Sequence, residues 1–235
     1  MLSNNLKEKL LAILENRNFA AVENNFIALP DNVRDLQKLL EAANKFSIKI
    51  ITIGYGTMFH GRNYDDDKLI FLSTNRMNRV LDLDPLNQFI KVESGIEFSA
   101  LQNYINSNNF YLPLEKNTPG KSSLGGLIST IDPYSAFASY IKGMEFLLPT
   151  GELIQYGCKT LKNVAGYDLT RLMIGSFGKF GVITSLLLKV SGNSSYYFQP
   201  EKYSDIRRRM PVPSDDPVFN NLLTSLDPGQ ILNQY

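Results

Sequence analysis

The stretch that decides the fold reads KNVAGYDLTRL over residues 162–172 and GSFGKFGVIT over residues 175–184. Four glycines stand at close spacing here, and an apolar run that continues to Val190 follows them. Glycine beside a strand lets another backbone or a ligand approach closely, because no Cβ stands in the way. The pattern therefore predicts a chain that is pressed against a flat group or threaded between elements, and that then continues as a strand over residues 181–190.

A second glycine-rich segment, Gly54-Tyr55-Gly56-Thr57, directly follows a β-like run over residues 48–53. It is not the G-x-G-x-x-G dinucleotide fingerprint, because Phe59 stands where the third glycine would fall. A Rossmann site is therefore not expected. Two interpretations stay open: the glycines turn backbone N–H groups toward a phosphate, or they form a plain strand-to-loop turn.

A third segment, PGKSSLGG over residues 119–126, combines paired glycines with two hydroxyls and a lysine. Hydroxyl groups can donate and accept hydrogen bonds, so the segment could contact a polar ligand. Taken alone, its composition is typical of a flexible loop.

The remaining pattern indicates two parts. Helical spacing over residues 6–14 and 33–43, with β-like runs at 26–29 and 48–53, predicts a small parallel α/β unit. From Ile70 strands become more frequent: a hairpin over 80–94, a helix near 98–105 and a second hairpin that joins 144–148 to 153–156. This second part is typical of an α+β arrangement.

Composition excludes several classes of function. The chain has 24 Lys plus Arg against 23 Asp plus Glu, so no net field would attract nucleic acid. Its apolar runs fall far short of the roughly 20 residues that a membrane span needs. One cysteine, Cys158, cannot form an internal disulfide, and residues 1–19 lack the pattern of a secretory signal, so we expect a cytoplasmic protein.

The three glycine segments, in this order, resemble the PCMH-type FAD-binding domain of the FAD-linked oxidase family that includes vanillyl-alcohol oxidase. The run over 162–184 is most similar to the FAD-binding subunits of bacterial glycolate oxidases. The resemblance covers about residues 19–190 and implies an α+β fold of two α/β subdomains with FAD between them. We accordingly expect a first subdomain over residues 1–72 and a second over 73–190.

The same resemblance implies the residues that bind FAD. A pyrophosphate loop would comprise Gly54, Tyr55, Gly56, Thr57, Met58 and Phe59. The second segment would contact the pyrophosphate or flavin through Pro119, Ser122, Ser123, Gly125 and Gly126. The third would pass its backbone along the adenine or flavin at Gly178, Gly181, Val182 and Ile183.

Family members normally continue into a cap domain that covers the flavin, and we expect this cap to be absent. Residues 191–217, which include Arg207–Arg209 and a proline-rich turn, are typical of a linker. Residues 218–235 resemble the family's C-terminal return segment, with Asp227-Pro228 followed by Ile231-Leu232-Asn233. Gln234 stands where the family usually has proline.

No catalytic residue can be assigned. His60 does not directly follow the glycine pair, where family members carry a flavin-linked histidine, so a loop histidine is the preferred interpretation. Tyr167, Asp168 and Arg171 are expected to hold the glycine segment in place. Metal ligation by Cys and His would need more ligands than the chain contains, so no metal or iron–sulfur cluster is expected.

The resemblance implies an FAD-binding oxidoreductase subunit of a glycolate oxidase-like complex that acts on a small 2-hydroxy acid. Its partners would be a homologous flavin subunit and an iron–sulfur subunit. Two alternatives stay open. The chain could be a non-catalytic flavin-binding or scaffold subunit, or a degenerate homologue that has lost FAD.

Overall fold

A computed structural model describes residues 4–14, 19–22, 25–56, 66–114, 121–157, 169–192, 202–206 and 217–232. The N-terminal part forms a four-stranded sheet in the order β1-β2-β4-β3. Strands β2 and β3 run parallel to β4, and β1 runs antiparallel to β2. Two helices accompany this sheet, and the elements are α1 (Asn4–Ile13), β1 (Phe19–Val22), β2 (Asn25–Ala28), α2 (Val33–Phe46), β3 (Lys49–Ile53) and β4 (Leu69–Ser73).

Helix α2 has sequence signals at both of its ends. The Asn32 side chain accepts a hydrogen bond from the Asp35 backbone N–H at 3.0 Å, which satisfies an otherwise free donor of the first turn. The helix ends at Ser47, whose φ of 53° lies in the left-handed region. One face of the helix is buried in the first core, as its periodicity predicts, through Leu36, Leu39, Leu40 and Ala43.

The second part is a five-stranded antiparallel sheet in the order β5-β6-β10-β8-β9. Its core lies between the sheet and helices α3, α4 and α5, and it includes the buried rings of Phe98 and Phe137. The elements are β5 (Val80–Asp84), β6 (Phe89–Glu93), α3 (Phe98–Ser107), α4 (Leu124–Ile128), a 3₁₀ turn (Phe137–Tyr140), β8 (Ile141–Leu147), β9 (Leu153–Gly157), α5 (Leu169–Met173) and β10 (Val182–Lys189).

The two sheets share a hydrophobic core. Leu147 of β8 and Val182 of β10 belong to the cluster that α2 and the first sheet bury. The turn between β8 and β9 is also attached to α2, because the Asn44 amide donates to the Pro149 carbonyl oxygen at 2.6 Å. The two parts therefore pack against each other as one unit.

The C-terminal elements return to the first sheet. After β10, Ser191–Gly192 (β11) pairs with Phe110–Tyr111 (β7), and Tyr203–Ile206 (α6) and Pro217–Leu226 (α7) follow. Beyond α7, Leu232 forms a parallel bridge to Ile50 at the free edge of β3. The chain end that is described thus lies beside the strand that leads into Gly54.

Most predicted elements are confirmed, including the parallel unit, both hairpins and the strand before Val190. Strand β4 is an interior strand of the first sheet and was not identified from the sequence. One expectation was wrong and one further element was missed. Residues 124–128 are a short helix, not a flexible loop, and the antiparallel strand β1 was not predicted. No helix in the described ranges is long and apolar enough to span a membrane.

Candidate functional site

Two of the three glycine segments meet where β3 ends and α4 begins. A Cβ added to Gly54 would overlap the Ser123 Oγ atom. A Cβ added to Gly126 would lie 3.0 Å from the same oxygen and 4.0 Å from the Gly54 Cα atom. A side chain at Gly54 would displace the Ser123 hydroxyl, which favours glycine there. The structure thus brings together Gly54, Ser123 and Gly126 from the predicted set.

The loop after β3 is fixed by a hydrogen bond at Gly54 and has free space beside Gly56 among the described residues. The Ser73 hydroxyl donates to the Gly54 carbonyl oxygen at 2.7 Å, and the Asn75 N–H donates to that hydroxyl at 3.4 Å. Gly56 has a φ of +76°, and a Cβ added there would meet no atom within 4 Å among the described residues. This open backbone is what a loop needs if a ligand is to lie against it.

Helix α4 is short and is positioned by its neighbours. Ser123 caps it, because its Oγ atom accepts from the Gly126 N–H at 3.2 Å. The segment before α3 supports it from behind: Ser94 accepts from the Gly125 N–H at 2.7 Å through its carbonyl oxygen. A Cβ on Gly125 would lie 2.9 Å from the Ser94 Cβ atom, which accounts for this glycine by packing.

Ser94 also presents a polar atom of its own. Its side chain is fully buried, and its Oγ atom has no hydrogen-bond partner in the described ranges. Buried hydroxyls nearly always find a partner, so an orphan of this kind next to Gly125 calls for an explanation. A buried water molecule would supply one.

The third glycine segment attaches to the other end of α4. The Gly175 N–H donates to the Ile128 carbonyl oxygen at 3.0 Å, and the Phe177 N–H donates to that of Ser129 at 2.9 Å. Gly178 follows with a φ of +72° and donates to the Ser176 hydroxyl at 3.2 Å. Carbonyl groups at the end of α4 are thereby satisfied, and the segment is fixed beside it.

The remaining predicted residues of this segment are accounted for by packing. A Cβ on Gly181 would lie 2.6 Å from the Leu147 carbonyl oxygen, so strand β8 already requires glycine there. The Val182 side chain is buried in the first core and the Ile183 side chain in the second. Only main-chain groups of these residues are candidates for ligand contact, and that role stays a prediction.

A carboxylate lies beside the two meeting loops. Glu97 forms an antiparallel bridge with Ser123, and its Oε1 atom accepts from the Ser99 hydroxyl at 2.6 Å. Burial raises the pKa of the Tyr55 phenol above its ordinary value of 10.0, and the charge of Glu97 raises it further. The Glu97 carboxylate is therefore close enough to interact electrostatically with the phenol of Tyr55, the residue after Gly54.

Several predicted residues cannot be placed. Thr57, Met58, Phe59 and Pro119 lie outside the described residues, as do His60, Cys158, Tyr167 and Asp168. Arg171 is described, and its guanidinium lies 5.6 Å from the centre of the Tyr134 ring. The described ranges contain no group of three or more His, Cys, Asp or Glu side chains that could hold a metal ion.

Three residues of the site were not identified from the sequence: Ser73, Ser94 and Glu97. Each reaches the glycine segments through the fold, at separations of 19 residues or more along the chain. The Ser94-Gly95 pair at the end of β6 was an available signal, because a glycine after a strand marks close backbone approach.

Comparison with known protein families gives one match that covers more than half of the chain. The sequence profile described as "FAD binding domain" matches residues 25–157. That range contains Gly54, Glu97, Ser123 and Gly126, which meet at the start of α4.

Curated relatives align over the same part of the chain. Glycolate oxidase subunit GlcD of Bacillus subtilis is 28% identical over 170 residues, which are 70% of this chain and 36% of the relative. D-2-hydroxyglutarate dehydrogenase of Xanthomonas citri pv. viticola is 27% identical, with shares of 70% and 36%. Mitochondrial D-lactate dehydrogenase [cytochrome] of Arabidopsis thaliana is 28% identical, with shares of 70% and 30%. The chain thus spans about a third of the length of these relatives.

Solved structures agree with the fold. An alkyldihydroxyacetonephosphate synthase superposes with a TM-score of 0.69 at 19% identity and covers 82% of this chain and 41% of its own. Wild-type Phl p 4.0202, a glucose dehydrogenase, superposes with a TM-score of 0.66 at 16% identity, with shares of 80% and 44%. These similarities establish the architecture and not the activity.

Proposed function

The chain belongs to the family of FAD-binding domains, and from that premise we propose that it holds FAD between its two sheets as part of an oxidoreductase. The observation that carries this proposal is the position of the Ser123 hydroxyl, which lies against both Gly54 and Gly126. Two glycine backbones that meet beside an open loop suit a pyrophosphate, which needs close approach and backbone N–H donors. We place the pyrophosphate of FAD there.

The residues present fit such a ligand. Gly56 would offer its backbone without steric hindrance, since nothing described stands within 4 Å of an added Cβ. The Ser123 hydroxyl accepts from the Gly126 N–H, so its own proton is available to donate. When bound, FAD would supply the two-electron chemistry, while the chain would orient it and exclude water.

The substrate we propose is a 2-hydroxy acid. The names of three relatives specify glycolate, 2-hydroxyglutarate and lactate, which all carry a hydroxyl beside a carboxylate. One of them is named as a subunit, which favours a multi-subunit enzyme for this chain as well. We propose a homologous flavin subunit and an iron–sulfur subunit as partners, and we expect the substrate contacts to come from such a partner.

Flavin binding tests the cofactor part of the proposal. The purified protein should show flavin absorption, or take up FAD in a titration, and should release it on acid precipitation. The Gly54→Ala substitution displaces the Ser123 hydroxyl, so we expect binding to weaken at least about tenfold, which is the loss of roughly one hydrogen bond to a charged group. Gly192→Ala is the matched control, because its Cβ would meet only the Gln88 amide at 4.0 Å.

The outcomes separate the alternatives. A protein that stays colourless after incubation with FAD would be a degenerate homologue. A protein that binds FAD but, together with its partners, is not reduced by any 2-hydroxy acid would be a flavin-binding scaffold. Equal binding by the Gly54→Ala and Gly192→Ala variants would place the pyrophosphate elsewhere.

A further inference from the structure

Glu97 lies beside the glycine segments at which the proposed function places the pyrophosphate. Its bridge to Ser123 sets the two Cα atoms roughly 5 Å apart, as for any antiparallel pair. Ser123 in turn contacts Gly54 and Gly126. The Glu97 side chain makes no capping bond to helix α3, although the residue occupies the N-cap position.

Within the described ranges, no cationic side chain pairs with this carboxylate. Its side-chain hydrogen bond is from the neutral Ser99 hydroxyl. The ion pairs of the described ranges join other residues, and none of them includes Glu97. Glu97 is partly exposed, and its charge acts on the Tyr55 phenol in the adjacent loop.

We infer that Glu97 is a negative determinant of cofactor affinity: its carboxylate repels the pyrophosphate of FAD and makes the cofactor releasable. The inference rests on the proposed function, which places the pyrophosphate beside Gly54 and Gly126. Like charges raise each other's free energy in inverse proportion to their separation, and the effect grows where part of the surrounding water is displaced. The repulsion needs no particular hydrogen-bond geometry, since a carboxylate can only accept.

The test compares FAD binding by the wild type, Glu97→Gln and the control Glu152→Gln, in which an exposed acid of the β8–β9 turn is neutralised. The glutamine keeps the shape of the side chain and its acceptor for the Ser99 hydroxyl. We expect Glu97→Gln to bind FAD about fivefold more tightly at low salt, or roughly 1 kcal/mol. The gain should shrink in about 0.5 M NaCl, because salt screens partly exposed charges. Glu152→Gln should match the wild type.

Riboflavin, which has no pyrophosphate, is the second probe. Its affinity should be unchanged by Glu97→Gln, and an equal gain for riboflavin and FAD would overturn the inference by indicating a general effect on packing. Unchanged or weaker FAD binding by Glu97→Gln would also overturn it, since the carboxylate would then be neutral in effect or would accept a hydrogen bond from the cofactor.

A second variant guards against a folding defect. Glu97→Ala removes the charge without an amide, and its affinity for FAD should also exceed that of the wild type when circular dichroism spectra agree. If neither the wild type nor either variant binds FAD, the proposed function fails together with the inference. If the wild type binds and the variants bind no better, the inference alone fails.

Discussion

Replacing Asp227 should detach the C-terminal segment from the first sheet. The residue is 1% exposed and follows α7. Its two carboxylate oxygens accept separately from the N–H groups of Ile231 at 3.0 Å and Leu232 at 2.9 Å. The Ile231 carbonyl oxygen then accepts from the Ile50 N–H at 2.6 Å, in the middle of β3. One carboxylate therefore shapes the turn that brings this segment to the edge of the strand.

The expected loss of stability follows from the two N–H groups that lose their acceptor. The Asp227→Ala change leaves two buried N–H groups without partners, and a hydrogen bond to a charged group contributes about 1.5–3 kcal/mol. The released cost of burying the carboxylate offsets part of this sum, so we expect the free energy of unfolding to fall by about 2–4 kcal/mol. Asp227→Asn keeps one acceptor and should lose roughly half as much.

Urea denaturation followed by circular dichroism measures the effect. The midpoint should shift while the slope stays constant, which indicates a change in stability and not in the surface exposed on unfolding. Asp67→Ala is the control, because that aspartate is exposed, and it should stay within about 0.5 kcal/mol of the wild type. A loss below about 1 kcal/mol for Asp227→Ala would refute the view that its two bonds hold the segment in place.

Two further predictions concern the second sheet. Burial alone would raise the pKa of Glu145, but hydrogen bonds, the larger from Lys91, and the Lys91 charge outweigh it and hold the pKa below its ordinary value of 4.5. The Glu145 carboxylate therefore stabilises the fold above pH 4.5, and this stabilisation is lost as the pH falls through the lower pKa of the folded state. Glu145→Gln should accordingly flatten the pH dependence of the urea midpoint between about pH 5 and pH 3. An added Cβ on Gly95 would overlap the Thr74 carbonyl oxygen, a backbone atom that cannot swing away, so Gly95→Ala should cost about 3 kcal/mol or more in the same assay. A Gly95→Ala protein as stable as the wild type would show that the turn can shift at no cost.

The sequence predicted the elements whose signals are local. Helix α2 has both a cap and a periodic face, and the hairpin turns have their own residues, so these elements needed no knowledge of the rest of the chain. Strand β4 was not identified from the sequence. All five of its residues are buried, and such a run fits the interior of either sheet equally well.

Helix α4 was missed because its stability does not come from its own residues. Two glycines in five positions oppose a helix, since each costs roughly 1 kcal/mol relative to alanine. The helix forms because Ser94 and Ile96 accept from its first N–H groups and because the segment after α5 donates to the carbonyl groups at its end. Those partners lie about 30 to 50 residues away along the chain, beyond the reach of any local pattern.

The same dependence explains why the glycines of the site are not independent of one another. Gly54 and Gly126 both require space around the Ser123 hydroxyl, Gly125 requires the Ser94 backbone, and Gly175 ties the far end of α4. A helix of five residues with no stability of its own takes the position that these contacts give it. Packing within the assembled site therefore accounts for glycine at these positions without reference to any ligand. Glu97 contributes a backbone bridge to the same assembly, and its carboxylate, which accepts from the Ser99 hydroxyl, takes part in none of the ion pairs of the described ranges.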